Sequence, residues 1–394
     1  MSPMRLAFLA LLGFWLVIPL VRYGQAGQDS VIVLAAGGIA HDAPDAVYPT
    51  KGREDVDPRL ADEFCSAYAT RADCEPEITP FTNPPTLLPA MWALDHLPID
   101  VAQLILRLAA AIAAALSFEL LWRTVAPDAR GATWMVAITA LCTPLVVAVV
   151  DVGQNSGFLL LAATAGITAL AGGWVEQLAT VLVTMFKGFP LLAVAVWSAF
   201  ERRYRTLVTT VVALGVLTVL STWLSGFDII RMFIDGTRST SQGTAYPHDT
   251  SLETMIARLI GDAHSVAIAW ALRVVLAGSA IVVLRRCRAS TERWALCWLF
   301  VALLMPRVWP HYLLLALPAY VGVAAARSKE IDLLPLAVVA CGLLAIGLVN
   351  TPSPELLPWV QPPTIAAIGW ALHRAWTATD DVVTTGSSPA PTTT

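Results

Sequence analysis

The chain has 394 residues, of which 57% are hydrophobic and 14% charged, with a formal net charge of −4. A soluble globular domain carries about a quarter charged residues, so the composition excludes one, and no nucleic-acid partner is expected. Apolar runs recur from end to end, which excludes a soluble domain on a single anchor and predicts an all-α, polytopic transmembrane bundle.

The first run, Met4 to Val21, is apolar except for Arg5. Its short head and the lack of a small-residue cleavage site predict a retained span over about 4–23 rather than a signal peptide. With the N-terminus inside, the long polar segment 24–98 lies outside as an extracytoplasmic loop. It holds many of the acidic residues, Cys65 and Cys74, and a Pro-rich exit, Phe81-Thr82-Asn83-Pro84-Pro85. The cysteine spacing allows a short disulfide-closed loop if the segment faces an oxidising compartment; two free thiols are the alternative. The other four cysteines fall in or beside apolar runs and read as packing residues.

Further spans are predicted over about 99–122, 132–150 and 157–172. The run Val175 to Phe200 is interrupted by Lys187-Gly188-Phe189-Pro190, where Gly and Pro break a helix. It reads as two short spans, with a re-entrant pair as the alternative. Then come spans over about 206–225, 264–284 and 292–305, the first two separated by a second outer loop, 226–262. A descending span follows the outer turn Met305 to Tyr312, and two more cover about 331–349 and 363–376. The count is about twelve, with both ends inside. It places the Arg clusters at 202–205, 285–288 and 327–329 on one side, as cytoplasmic loops require. Residues 1–376 form one transmembrane domain, and the Thr/Ser/Pro-rich 377–394 is expected to be a disordered cytoplasmic tail.

This topology gathers polar residues on the outer side: Asp29, Asp151, Gln154, Asn155, Lys187, His248, Asp249, Arg307, His311 and Tyr312. Several also read as helix caps or loop residues. Asp29, a carboxylate just past the membrane edge, is a candidate active-site base. Lys187 and Arg307 lie in apolar segments beside Gly or Pro breaks, where a fixed cation suits a lipid phosphate; snorkelling to headgroups is the alternative. Arg22, Arg107 and Arg273 have no assigned partner, Glu119 being one candidate. The chain has no phosphate-cradling Gly loop, no zinc-spaced Cys/His set and no nucleophile elbow.

Several local motifs stand in a recurring order: Gln28-Asp29-Ser30-Val31 through Ala35-Ala36-Gly37 to Tyr48-Pro49, Phe81 to Leu88, Gly153-Gln154-Asn155-Ser156-Gly157 with Leu159-Leu160-Leu161, Phe186-Lys187-Gly188-Phe189-Pro190, and Trp309-Pro310-His311-Tyr312-Leu313. In this the chain resembles the family 87 glycosyltransferases, membrane enzymes of the C-type glycosyltransferase superfamily, over about residues 24–325. The resemblance implies a C-type bundle that transfers a sugar, most often mannose, from a polyprenyl-monophosphate donor with inversion. The acceptor would be a glycolipid, lipoglycan or glycan outside the cytoplasmic membrane. Asp29 would then be the general base, and Lys187, Arg307 and His311 the groups on the donor phosphate. Gln154 and Asn155 would orient the sugar, with Asp151, Tyr312 and His248 as further substrate contacts, and neither a metal nor another cofactor is called for. The stretch 50–80 departs from the family pattern in being longer and more acidic. A retaining route would need a second carboxylate, for which Asp42, Asp45 and Asp151 are available. A transporter or flippase for a lipid-linked or small polar solute is the competing reading; its usual internal repeat is not found.

Overall fold

The computed structural model describes residues 1–24, 28–48, 57–67, 81, 83–151, 156–168, 173–241, 251–305, 309–328, 331–350 and 356–377, and those residues are helical with no strand among them. The elements are α1 (Pro3–Val21), α2 (Gln28–Ile39), α3 (Pro58–Ala67), α4 (Leu88–Asp95), α5 (Ile99–Val125), α6 (Ala129–Asp151), α7 (Ser156–Ile167), α8 (Trp174–Phe186) and α9 (Phe189–Glu201). They continue as α10 (Arg205–Ser225), α11 (Asp228–Ser241), α12 (Leu252–Ile260), α13 (Asp262–Arg286), α14 (Ser290–Leu304), α15 (Ala316–Arg327), α16 (Leu333–Asn350) and α17 (Leu357–Thr377), with a 3-10 turn at Pro310–Leu315.

Local chemistry sets many of the helix ends. The Ser2 hydroxyl accepts from the Arg5 N–H at 3.2 Å and Pro3 opens α1, a favoured pairing at a helix start. The Asp128 carboxylate accepts from the Gly131 N–H at 2.7 Å and starts α6. Between α8 and α9, Lys187 is extended and Pro190 lies in the first turn of α9, so the break expected from the sequence is present.

Among the described residues, six helices are long and apolar enough to cross a membrane by themselves: α1, α5, α6, α10, the His264–Arg286 part of α13, and α16. Every span expected from the sequence coincides with a helix, but α7, α8 and α9 have 12, 13 and 13 residues, short of the ~20 that a crossing takes. Burial explains the shortness of α7. In α7 nearly every residue from Ser156 to Gly166 is buried, so its ends are covered by protein and need not reach water. Gly157 allows α7 to touch α5, since a Cβ there would run into the Ala110 carbonyl.

The segment expected to be an outer loop is largely folded. Helices α2, α3 and α4 build a layer with its own apolar core, including Val31, Leu34, Val47, Leu60, Phe81 and Met91, closed by Met185, Phe186 and Leu224 at the ends of α8 and α10. Gly37 lets α2 cross α4 at the backbone of Met91 and Trp92. The layer is tied down by the Ser221 hydroxyl on the Pro85 carbonyl at 2.6 Å and the Thr86 hydroxyl on the Met185 carbonyl at 3.2 Å. His41 Nδ1 lies 3.1 Å from the Leu224 carbonyl. The second expected loop carries α11 and α12.

The main core lies in the bundle around Phe8, Trp15, Phe118, Trp294, Trp298 and Tyr320. At its other end two of the Arg clusters meet, Arg327 donating to the Arg286 carbonyl at 3.4 Å. Glu292, fully buried, accepts from Arg327 Nε at 2.6 Å and from the Arg288 N–H at 2.7 Å. Arg293 pairs with Glu201 and caps the Leu284 and Cys287 carbonyls. Arg5 pairs with Glu119 at 2.7 Å. Helix ends that the alternating topology puts on one side thus contact each other, giving a basic face and, opposite, the face that carries the α2–α4 layer.

Candidate active site

The site is assembled on the layer-bearing face, where four helix ends meet. Asp29 stands in the first turn of α2; only its backbone is among the described positions. The next residue, Ser30, is buried and its hydroxyl donates to Gln103 Oε1 of α5 at 3.4 Å. One turn further along α5, the buried Arg107 donates to the Arg22 carbonyl at the end of α1 at 3.1 Å. Arg22 in turn pairs with Asp151 at the end of α6 at 3.1 Å. Polar contacts therefore tie the start of α2 to α5, and α5 in turn to the ends of α1 and α6.

The second half gathers around the start of α7. Ser156 is buried, and its Oγ has no partner among the described residues. Phe158 stacks on Phe186, with ring centroids 5.9 Å apart, which brings the α8–α9 break and Lys187 to the same place. The half-buried Lys187 N–H donates to the Val183 carbonyl at 2.8 Å. His311 sits in the Pro310–Leu315 turn, which connects α14 to α15 ahead of the descending helix and packs against α7. The ring is buried, stacks with Trp309 at 6.3 Å and meets Tyr312 edge-on at 4.9 Å. Tyr312 also touches Phe189, the first residue of α9, at 5.3 Å. Burial, and then the Lys187 ammonium, hold the His311 pKa well below the usual imidazole range. A neutral ring whose Nε2 has no partner among the described residues is available to hydrogen-bond a ligand.

Lys187, His311 and Tyr312 lie close to one another, and Asp151 pairs with Arg22 where α6 and α1 end. Gln154, Asn155, His248, Asp249, Arg307 and Cys74 lie outside the described residues. Cys65 is disulfide-bonded, and Cys142, Cys287, Cys297 and Cys341 are free. Glu119 does not pair with Arg107 or Arg273. It sits near the basic-face end of α5 and is taken by Arg5 and by Arg123, the latter at 3.1 Å. Arg273 instead faces Glu253 of α12 at 3.6 Å. The sequence reading missed Ser30, Gln103 and Ser156 and left Arg107 without a role. A Gln four residues before an intramembrane Arg was the signal for one polar helix face; the two serines carried none.

Asp45, one of the carboxylates open to a retaining route, is held by Arg59 at 2.8 Å, which keeps its pKa below the usual carboxylate range. Asp151 is engaged by Arg22.

No curated protein and no solved structure matches the chain significantly. The sequence model described as Glycosyltransferase family 87 matches residues 81–318, more than half of the chain. The match begins after Asp29 and takes in the Pro-rich exit of the first layer, α5 with Gln103 and Arg107, the start of α7, the Lys187 break and the His311 turn. The chain belongs to glycosyltransferase family 87.

Proposed function

We propose that this membrane glycosyltransferase moves a sugar, mannose, from a polyprenyl-monophosphate donor to a glycolipid, lipoglycan or glycan acceptor. The layer-bearing face is the extracytoplasmic side of a plasma membrane that the chain crosses about twelve times, the short helices crossing in company with their neighbours. The observation that carries the reading is the buried His311 ring, close enough to Lys187 at the α8–α9 break to feel its charge. A fixed cation beside a hydrogen-bonding ring suits a phosphate that gains charge as it leaves.

The acceptor oxygen attacks the anomeric carbon while the bond from that carbon to the phosphate oxygen breaks. The bonding pair goes to the phosphate, and the acceptor proton goes to Asp29. The products are a glycoside of inverted configuration and polyprenyl monophosphate. Lys187, His311 and Arg307 hold the phosphate, Gln154 and Asn155 the sugar, with Asp151, Tyr312 and His248 around them. No cofactor is assigned beyond the lipid-linked donor. The ion pairs of Asp45 and Asp151 favour a single base over a second carboxylate acting as nucleophile.

The test is transfer from a labelled polyprenyl-phosphate mannose by membranes carrying the wild type or Asp29→Asn, with acceptor-containing membranes supplied. The expected outcome is a loss of at least about 100-fold in the variant with donor binding retained. Equal transfer by both would remove Asp29 from the mechanism. No transfer by the wild type from any polyprenyl-phosphate sugar would remove the donor.

A further inference from the structure

The start of α7 carries a buried polar atom that the proposed reaction does not use. Ser156 is 2% exposed and His311 6% exposed, and neither Ser156 Oγ nor His311 Nε2 has a partner among the described residues. Buried polar atoms are normally hydrogen-bonded, so each marks a place where a ligand completes it, and the turn that carries His311 packs against α7. A helix start adds backbone N–H groups with no intrahelical acceptor and the positive end of the helix dipole. Lys187 adds a full positive charge on the same side, through the Phe158–Phe186 stack.

We propose that the N-terminus of α7 is the seat of the donor phosphate, with the Ser156 hydroxyl and the first amides of α7 facing Lys187 and His311 across it. The inference rests on the polyprenyl-phosphate reading and names the binding groups that reading left open. Helix α5 gives the spacing. Gln103 holds Ser30, the neighbour of Asp29, and Ala110 touches Gly157, the neighbour of Ser156. Seven residues of helix separate these levels by ~10 Å, which leaves room for one sugar ring between a base at Asp29 and a phosphate at Ser156. Gly157 keeps the seat at its level, because any side chain there would push α7 away from α5.

The experiment is binding of a polyprenyl monophosphate, the proposed product, to the purified full-length chain in zwitterionic nanodiscs, with inorganic phosphate and phosphatidic acid as separate ligands. Ser156→Ala removes one hydrogen bond to a charged group and is expected to weaken polyprenyl monophosphate about tenfold or more, and inorganic phosphate in parallel. Ser156→Cys keeps the size of the side chain but replaces the hydroxyl by a weak donor, so a purely structural serine would tolerate it. A phosphate seat would not, and binding is expected to weaken at an unchanged melting temperature. Wild-type affinity in both variants overturns the seat and leaves the donor reading standing. A variant effect confined to phosphatidic acid assigns the place to a lipid headgroup and overturns it too. A wild type that binds no polyprenyl monophosphate overturns the donor reading and this inference together.

Discussion

Ser30 and Gln103 lie 73 residues apart in the chain and meet in one hydrogen bond. That bond ties the start of α2, and so the backbone of Asp29, to the bundle. Gln103→Leu keeps the volume and removes the acceptor. The expected result is a fall in turnover of about tenfold or more, with donor affinity unchanged, since a small displacement of a catalytic group is costly. Transfer kinetics check it, and a rise in donor KM alone would place Gln103 on the phosphate side instead. The layer offers a second residue-scale test. Burial raises the pKa of Asp95, and burial followed by the Asp95 charge raises that of Glu63. Both folded pKa values stand above the unfolded ones, so these groups favour the fold at low pH, and that contribution is lost as pH climbs through the folded values. Glu63→Gln should raise the melting temperature at pH 7, with the gain gone below about pH 4, where the unfolded carboxyl also binds its proton. Lys187 was legible at this scale because a Lys beside Gly and Pro interrupts an apolar run. Ser156 was not, because a single serine in an apolar run has the same spelling whether its hydroxyl bonds its own helix or faces a ligand.

At the scale of elements, the divergence lies between Gly24 and Pro98. The apolar run in α2 is too short to span a bilayer and contains Gly37 and Gly38, which disfavour a helix. It reads as loop for those reasons. Burial between α4 and α5 is what makes it a helix, and the glycine that weakens it locally is the one that admits α4. Propensity lost to packing. Gly37→Val is therefore expected to separate the two helices and destabilise the layer by about 1–3 kcal/mol, while the bundle unfolds as before. Proteolysis of the layer read against thermal unfolding of the whole chain separates these effects. The helices of the bundle were legible because their apolar runs end in charged or Gly/Pro breaks that the structure keeps. Their lengths were not, because a helix enclosed by neighbours stops without regard to bilayer thickness, as α7 does.

Across the whole molecule, polar contacts join helix ends that the alternating topology assigns to one side. Arg5 meets Glu119 and Arg293 meets Glu201 on the basic face; Arg22 meets Asp151 and Thr86 meets the Met185 carbonyl on the other. Arginine clusters in loops are the mark of a cytoplasmic face, so the proposed topology puts the layer, its disulfide-bonded Cys65 and the candidate site beneath it on the opposite side. Charge and contact are independent of the family match, and the sidedness has its own test. Single cysteines introduced as Asp42→Cys and Arg203→Cys, both at exposed positions, are placed in a Cys341→Ser background, because the other free thiols are buried. A membrane-impermeant maleimide on intact cells is expected to label the first and not the second, with labelling of the second appearing on permeabilisation. Labelling of the Arg203 position in intact cells would invert the molecule. It would put the Lys187–His311 site on the cytoplasmic side, where activated sugars are also supplied as soluble nucleotide conjugates, and the reason for a lipid-linked donor would go with it.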